Sequence, residues 1–219
     1  DRSFNRSFML FGLGLSYTIG PKAEGYANIS QNYRSVTFSD IRTVSPTFVV
    51  DPDITDEQGY TVDLGIRSLT AKTFNFDVSI FGLLYDDRIG IILDDRANRV
   101  RKNIGEAFIY GIEIFGDINL VSSLNKDWKE VKWNVFINTA FTESSYLASE
   151  ENNVKGKKVE FIPMLNFKTG VNFGFRNLMG SLQWIYLSEQ FTDVENSTIA
   201  VDGDNRNGLI GEIPSYHVM

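Results

Sequence analysis

Chemistry at neutral pH is usually carried by imidazoles, thiolates or paired carboxylates, and this chain of 219 residues offers little of it. Its one histidine is His217, close to the C-terminal end of the sequence, and it has no cysteine. Thiol catalysis, disulfides and thiolate-held zinc or iron–sulfur sites are therefore excluded. There is no Gly-x-Ser-x-Gly elbow, phosphate-binding loop, His-Glu-x-x-His helix or dinucleotide fingerprint, and Gly12-Leu13-Gly14 is a lone fragment. The sequence does not read as an enzyme. Two acidic groups, Asp51, Asp53, Asp56, Glu57 and Asp193, Glu195, Asp202, Asp204, hold oxygen ligands of the kind Ca²⁺ takes. Neither has the spacing or the glycine of a defined calcium loop. The expectation is solvated acidic loops and no bound cofactor.

The basic residues say more. Arg34, Arg42, Arg88, Arg96, Arg99, Arg101, Lys102 and Arg206 fall in or beside segments that read as long loops. With 21 Lys+Arg against 28 Asp+Glu, a net charge of −7 and no basic cluster, a nucleic-acid partner is excluded. Separate guanidinium forks suit a small anion instead, because they match carboxylate oxygens in bidentate fashion. Arg34, Arg88 and Arg96 are the candidate ligand contacts, since each lies near a strand end or hairpin that would fix it. The competing reading pairs each arginine with a neighbouring acid.

Something must position these side chains, and the scaffold is legible as period-2 alternation. In residues 9–17, 60–66, 74–84, 108–120, 131–141 and 165–175, one parity is apolar except at Gly82, Gly116, Thr139 and Thr169. The other parity carries Asp63, Asp77, Glu113, Asp117, Lys132, Asn134, Lys168 and Asn172 among glycines and serines. Those charges are expected to pair with one another or with a covering domain. Weaker alternation in 24–33 and 180–191 completes eight strands, and a ninth starts at Ser215-Tyr216-His217. The longest uncharged stretch, 7–21, falls short of the roughly 20 apolar residues of a membrane helix.

The segments are longer than the about 5–6 residues usual in soluble sandwiches and suit tilted membrane strands, which need about 9–11. Backbone groups in lipid must all be paired, so such strands belong in a closed barrel. The connections alternate: 18–23, 70–72, 121–130 and 176–179 are short or medium, whereas 34–59, 86–105, 143–164 and 192–213 are long. Outer-membrane barrels have short periplasmic turns and long extracellular loops. Leu13, Ile112, Val135 and Val171 should therefore face lipid, and Asp77, Asn134 and Asn172 the lumen. Tyr17, Tyr26, Tyr33, Tyr60, Tyr85, Trp128, Trp133, Tyr186 and Phe191 are candidates for the interfacial girdles.

Four segments in order, SQNYRSVTFSDI (30–41), DPDITDEQGYTVDLGIRS (51–68), NIGEAFIYGIEIFGDI (103–118) and EFIPMLNFKTGVNF (160–173), resemble the C-terminal barrel half of TonB-dependent outer-membrane receptors, within them the ferric-dicitrate-type siderophore receptors. The resemblance covers about residues 15–219. It implies an all-β, antiparallel, up-and-down transmembrane barrel segment of 8–9 strands out of 22, with residues 1–219 a single portion of a larger receptor. The plug domain, the TonB box and the closing strands are not in the sequence, which opens on Asp1-Arg2-Ser3 rather than on a basic and then apolar leader; either a leader was removed or the sequence begins inside a longer protein. The family implies an outer-membrane location and high-affinity uptake of a ferric siderophore or ferric citrate-like chelate. It also implies partners: the TonB complex through a plug, and outer-membrane lipid and lipopolysaccharide. The alternative is a self-contained structural or adhesive barrel without active transport. The identity of the cargo is not encoded in the spacing.

Overall fold

Twelve strands and two single-turn helices follow one another in the computed structural model, which describes residues 7–43, 45–69, 72–94, 96, 98–124, 128–198 and 211–219. They are β1 (Gly12–Ile19), β2 (Ala23–Arg34), α1 (Phe38–Ile41), β3 (Phe48–Val50), β4 (Glu57–Ser68), β5 (Phe74–Leu93), β6 (Arg99–Asn119), α2 (Leu120–Ser123), β7 (Val131–Ser149), β8 (Leu165–Phe175), β9 (Leu178–Leu187), β10 (Gln190–Phe191), β11 (Glu212–Ile213) and β12 (Tyr216–Val218). Nine of them form one antiparallel path, β1-β2-β4-β5-β6-β7-β8-β9-β12. Strand β3 adds to β6 in parallel, and β10 and β11 make a two-residue ladder of their own. Among the described residues no helix is long and apolar enough to cross a membrane.

The register carries the alternation across the sheet. Leu13 pairs with Ile29, Ile29 with Val62, Leu64 with Ile80, Ile80 with Ile112, Ile112 with Phe141, Val135 with Val171 and Val171 with Leu182. Paired residues share a face, so the apolar parity forms one continuous exposed band, with Leu15, Leu64 and Ile80 each more than half exposed. Opposite it, Asn75 pairs with Asp117 and Asn172 with both Asn134 and Ser181. Glycines on this inner face are covered by cross-strand rings: Tyr26 lies over Gly65, Phe81 over Gly111 and Phe136 over Gly170, each a directly paired couple.

Parity also corrects the girdle. Tyr17, Tyr60, Trp133 and Tyr186 lie in the apolar band, but Tyr26 and Tyr85 belong to the inner face. The Tyr26 hydroxyl donates to Asp77 at 2.8 Å, and Tyr85 packs beneath the Arg88 guanidinium. Of the inner-face charges, Asp77 and Asp117 take hydrogen bonds from Tyr26 and Asn134. Among the described residues, none of Asp63, Asp77, Glu113, Asp117, Lys132 and Lys168 is ion-paired with another of the six.

The largest departure from the sequence reading is strand length. Alternation ends before segment 86–105 and assigns it to a long loop, yet β5 and β6 run 20 and 21 residues and meet around a turn at 94–98. Likewise β7 continues to Ser149. The cause is a pair of irregularities. Between Tyr85 and Arg88 one extra residue enters β5, with Asp87 at φ 55°, and opposite it β6 passes Gly105 at φ 137°. Each inserted residue reverses the parity, so the alternation stops although backbone pairing does not. The short connection 121–130 likewise begins inside a helical turn, α2; of the turn at 70–72, residues 70 and 71 lie outside the described ones.

Gly105 carries this junction. A side chain there would collide with the Ala148 carbonyl oxygen and come within 2.9 Å of the Ser149 Cα. Its φ of 137° is also closed to other residues. Gly105→Ala should destabilise the full-length protein by about 2 kcal/mol or more, combining backbone strain and collision. Urea unfolding in detergent is the measurement. An unchanged midpoint would show that the ladder reseats without cost.

Around the bulges lies the buried core of the described residues. Ile104, Ala107, Ile109, Tyr146, Val154, Val159 and Val194 cluster there, each at most 6 % exposed. Val194 comes from the segment after β10, and Val154 and Val159 come from the segment after β7. The long-loop end is thus a small packed body, while the sheet below it turns an apolar band outward.

Candidate functional site

On the inner face at the long-loop end, the strand extensions enclose a cavity of about 490 Å³. Its wall is built from the end of β2, helix α1, the start of β4, the bulged part of β5, Arg101 of β6, Glu160 and Phe161 from the β7–β8 segment, and Thr192. Three guanidinium groups line it, Arg34, Arg88 and Arg101, facing three buried carboxylates, Asp40, Glu57 and Glu160.

Each charge is placed by the backbone beneath it. Arg34 and Glu57 are a register pair of β2 and β4, and their side chains meet at 3.2 Å. Glu57 also accepts the Ile89 amide at 2.6 Å, which ties β4 to the far side of the β5 bulge. Asp40 comes from α1, where it receives the Thr37 N–H at 2.9 Å, the Thr37 hydroxyl at 2.7 Å and Arg34 at 2.8 Å. Burial alone would raise the Asp40 carboxyl, but the bonds from Thr37 and Arg34 outweigh it and hold the group below the ordinary carboxylate range. Arg101 donates to the Ser39 carbonyl at 2.7 Å and lies over the Phe48 ring.

Arg88 and Glu160 are held differently. Arg88 stacks on Tyr85, its Nη2 is 4.0 Å from Glu160 Oε1, and its buried Nε makes no hydrogen bond among the described residues. Glu160 Oε2 accepts the Tyr146 hydroxyl at 2.8 Å. Burial, and with it the neighbouring Glu160 charge, pushes the Tyr146 phenol far above its usual value, so Tyr146 remains a neutral donor. Arg34 and Arg101 thus hold oxygen acceptors at 2.8 and 2.7 Å, whereas Arg88 has the Tyr146 hydroxyl beside it and its carboxylate only at 4.0 Å.

Of the candidate contacts read from the sequence, Arg34 and Arg88 come together at the cavity and Arg96 does not. Arg96 sits exposed in the β5–β6 turn, where its amide donates to the Asp94 carboxylate. The continued ladder carries it away from the wall. Arg206, Asp202 and Asp204 lie outside the described residues. The acidic groups serve as stitches: Asp56 accepts the Val36 amide and the Tyr33 hydroxyl, and Asp193 accepts the Glu195, Ser197 and Gly211 amides. Among the described residues no three His, Asp or Glu side chains converge to hold a metal. Asp40 and Glu160 are site residues that the sequence pattern does not single out. Thr37-Phe38-Ser39-Asp40 has the spacing of a capping turn, but nothing near Glu160 marks it.

Residues 1–219 match a family model described as TonB dependent receptor-like, beta-barrel. Among solved structures, the ferric citrate transporter FecA in its unliganded form is similar at 19 % identity and a TM-score of 0.70, covering 95 % of this chain and 29 % of that one. The ferric yersiniabactin uptake receptor FyuA from Yersinia pestis is similar at 18 % identity and a TM-score of 0.65, covering 94 % and 28 %. The copper transporter OprC is similar at 13 % identity and a TM-score of 0.66, covering 94 % and 29 %. The chain thus spans less than a third of the length of each of these proteins, and at these identities the likeness shows the fold. No match was found among curated proteins.

Proposed function

Because the chain belongs to the TonB-dependent receptor β-barrel family, we propose that it is the C-terminal barrel portion of an outer-membrane receptor that takes up a ferric siderophore or a similar ferric chelate. The observation that carries this reading is the cavity at the long-loop end, on the inner face, with Arg88 in its wall, 4.0 Å from the Glu160 carboxylate and with its Nε unbonded among the described residues. In an outer-membrane barrel the long loops are extracellular. A ligand captured there would stand at the mouth of the lumen. Charge-assisted bonds to chelate oxygens would hold it, while neighbouring Tyr85 and Phe161 offer apolar wall. Passage would need a plug domain elsewhere in the receptor and, engaged through it, the separate TonB complex. The role is transport and not catalysis.

The test uses the full-length receptor in iron-starved cells. Radio-iron presented as a ferric chelate should bind to outer-membrane vesicles with or without TonB, but should accumulate inside cells only when TonB is present. Accumulation that survives the loss of TonB, or no binding of any ferric chelate, overturns the reading.

A further inference from the structure

The cavity's charges balance. Among the described residues its wall carries three arginines and three carboxylates, and the carboxylates are at most 7 % exposed. A polyanion entering this space would gain from the arginines but would lie against Asp40, Glu57 and Glu160. Two of these acids meet a guanidinium closely. Asp40 is held by Thr37 and, at 2.8 Å, by Arg34, and Glu57 takes the Ile89 amide and, at 3.2 Å, Arg34 on its Oε1. Glu160 does not: its Oε2 takes the neutral Tyr146 hydroxyl, and its Oε1 faces Arg88 across 4.0 Å. Arg88 is the matching cation. The two least committed charges in the cavity are therefore adjacent and opposite in sign.

Both stand on firm supports. Arg88 lies between the β5 irregularity and Gly90, where an added Cβ would come within 2.7 Å of Ile104 and 3.2 Å of Glu160 Oε1. Glu160 is oriented by Tyr146, which is 1 % exposed and a member of the buried core. A pair held apart at this spacing, beyond hydrogen-bond reach, leaves each partner able to take a ligand group at its open side. We infer that Arg88 and Glu160 are the cavity's recognition pair, and that its ligand class is a ferric chelate bearing an anionic oxygen and a protonated amine near one another, in preference to a polyanion such as ferric dicitrate. This rests on the ferric-chelate reading above and narrows it.

The experiment compares three probes on the full-length receptor in outer-membrane vesicles: ferric dicitrate, a linear ferric trihydroxamate ending in a free carboxylate and a free amine, and the same trihydroxamate with its amine acetylated. The parent receptor should bind the zwitterionic probe at least about tenfold more tightly than ferric dicitrate, as charge-assisted contacts of this kind imply. Acetylation should cost about tenfold in the parent. In Glu160→Gln, which keeps the shape and the bond from Tyr146, acetylation should cost nothing, and ferric dicitrate should bind more tightly than it does to the parent. Coupling between the amine and residue 160 is a readout that misfolding does not imitate. If ferric dicitrate binds the parent best, or acetylation costs the same in both receptors, the recognition pair is overturned while ferric-chelate uptake stands. If no probe binds, the recognition pair is overturned too, and ferric-chelate uptake falls with it only if no other ferric chelate binds the vesicles.

Discussion

Val171→Arg in the full receptor should cost about 2–4 kcal/mol of folding stability, the penalty of an arginine near the bilayer midplane on a barrel's lipid face, whereas Asn172→Lys, one residue away, should cost little. Residues 171 and 172 lie near the middle of β8, but the first pairs with Val135 and Leu182 and the second with Asn134 and Ser181. Their neighbours are therefore a hydrocarbon-facing row in one case and a polar inner row in the other. Folding into lipid vesicles followed by denaturant titration measures the difference. At about 1.4 kcal/mol per tenfold, the arginine should shift the folding equilibrium by between about 30-fold and 1,000-fold. Equal tolerance at the two positions would mean that the apolar band does not face lipid, and the barrel assignment would fail with it.

The contrast between 171 and 172 is legible in the amino-acid sequence because alternation is a physical signature: a strand between two different media must alternate. Where the pleat is regular, pattern and structure coincide, as at β8, whose alternating residues 165–175 are the strand's own bounds. Where the pleat is interrupted, legibility ends. The irregularities at 85–88 and 104–105 shift the parity, and a ladder of some twenty residues reads as a membrane strand followed by a loop. Placement of the candidate site suffers accordingly. Arg88 reads as a loop residue but is a strand residue of the inner wall, and Arg96, which looks equivalent in sequence, ends up at the hairpin tip. Glu160 is invisible to pattern because it joins the wall through a fold of the 150–164 connection onto Tyr146, a contact that no local spacing encodes.

Arg88→Ala should weaken binding of a ferric chelate by about 10- to 150-fold, since a partly desolvated charge-assisted contact contributes roughly 1.5–3 kcal/mol. The expectation is centred on Arg88 because its ion pair is the loosest of the three: its carboxylate stands at 4.0 Å, its other polar neighbour is the neutral Tyr146 hydroxyl, and its Nε has no hydrogen bond among the described residues. Arg34 already meets Asp40 at 2.8 Å and Glu57 at 3.2 Å. Its removal would strand two buried acids, so lost affinity there would be mixed with a displaced α1 and β4. Arg88→Lys should recover only part of the binding, because the ammonium keeps the charge but loses the planar fork and the stacking on Tyr85. Two controls separate recognition from a general charge effect. Arg96→Ala removes a cation at the same end of the barrel but outside the cavity wall, and Arg176→Ala removes one from the short-turn end, where it pairs with Glu130. Both should bind like the parent. If Arg96→Ala loses as much as Arg88→Ala, the long loops attract anions by diffuse charge, and the cavity is not the place of capture.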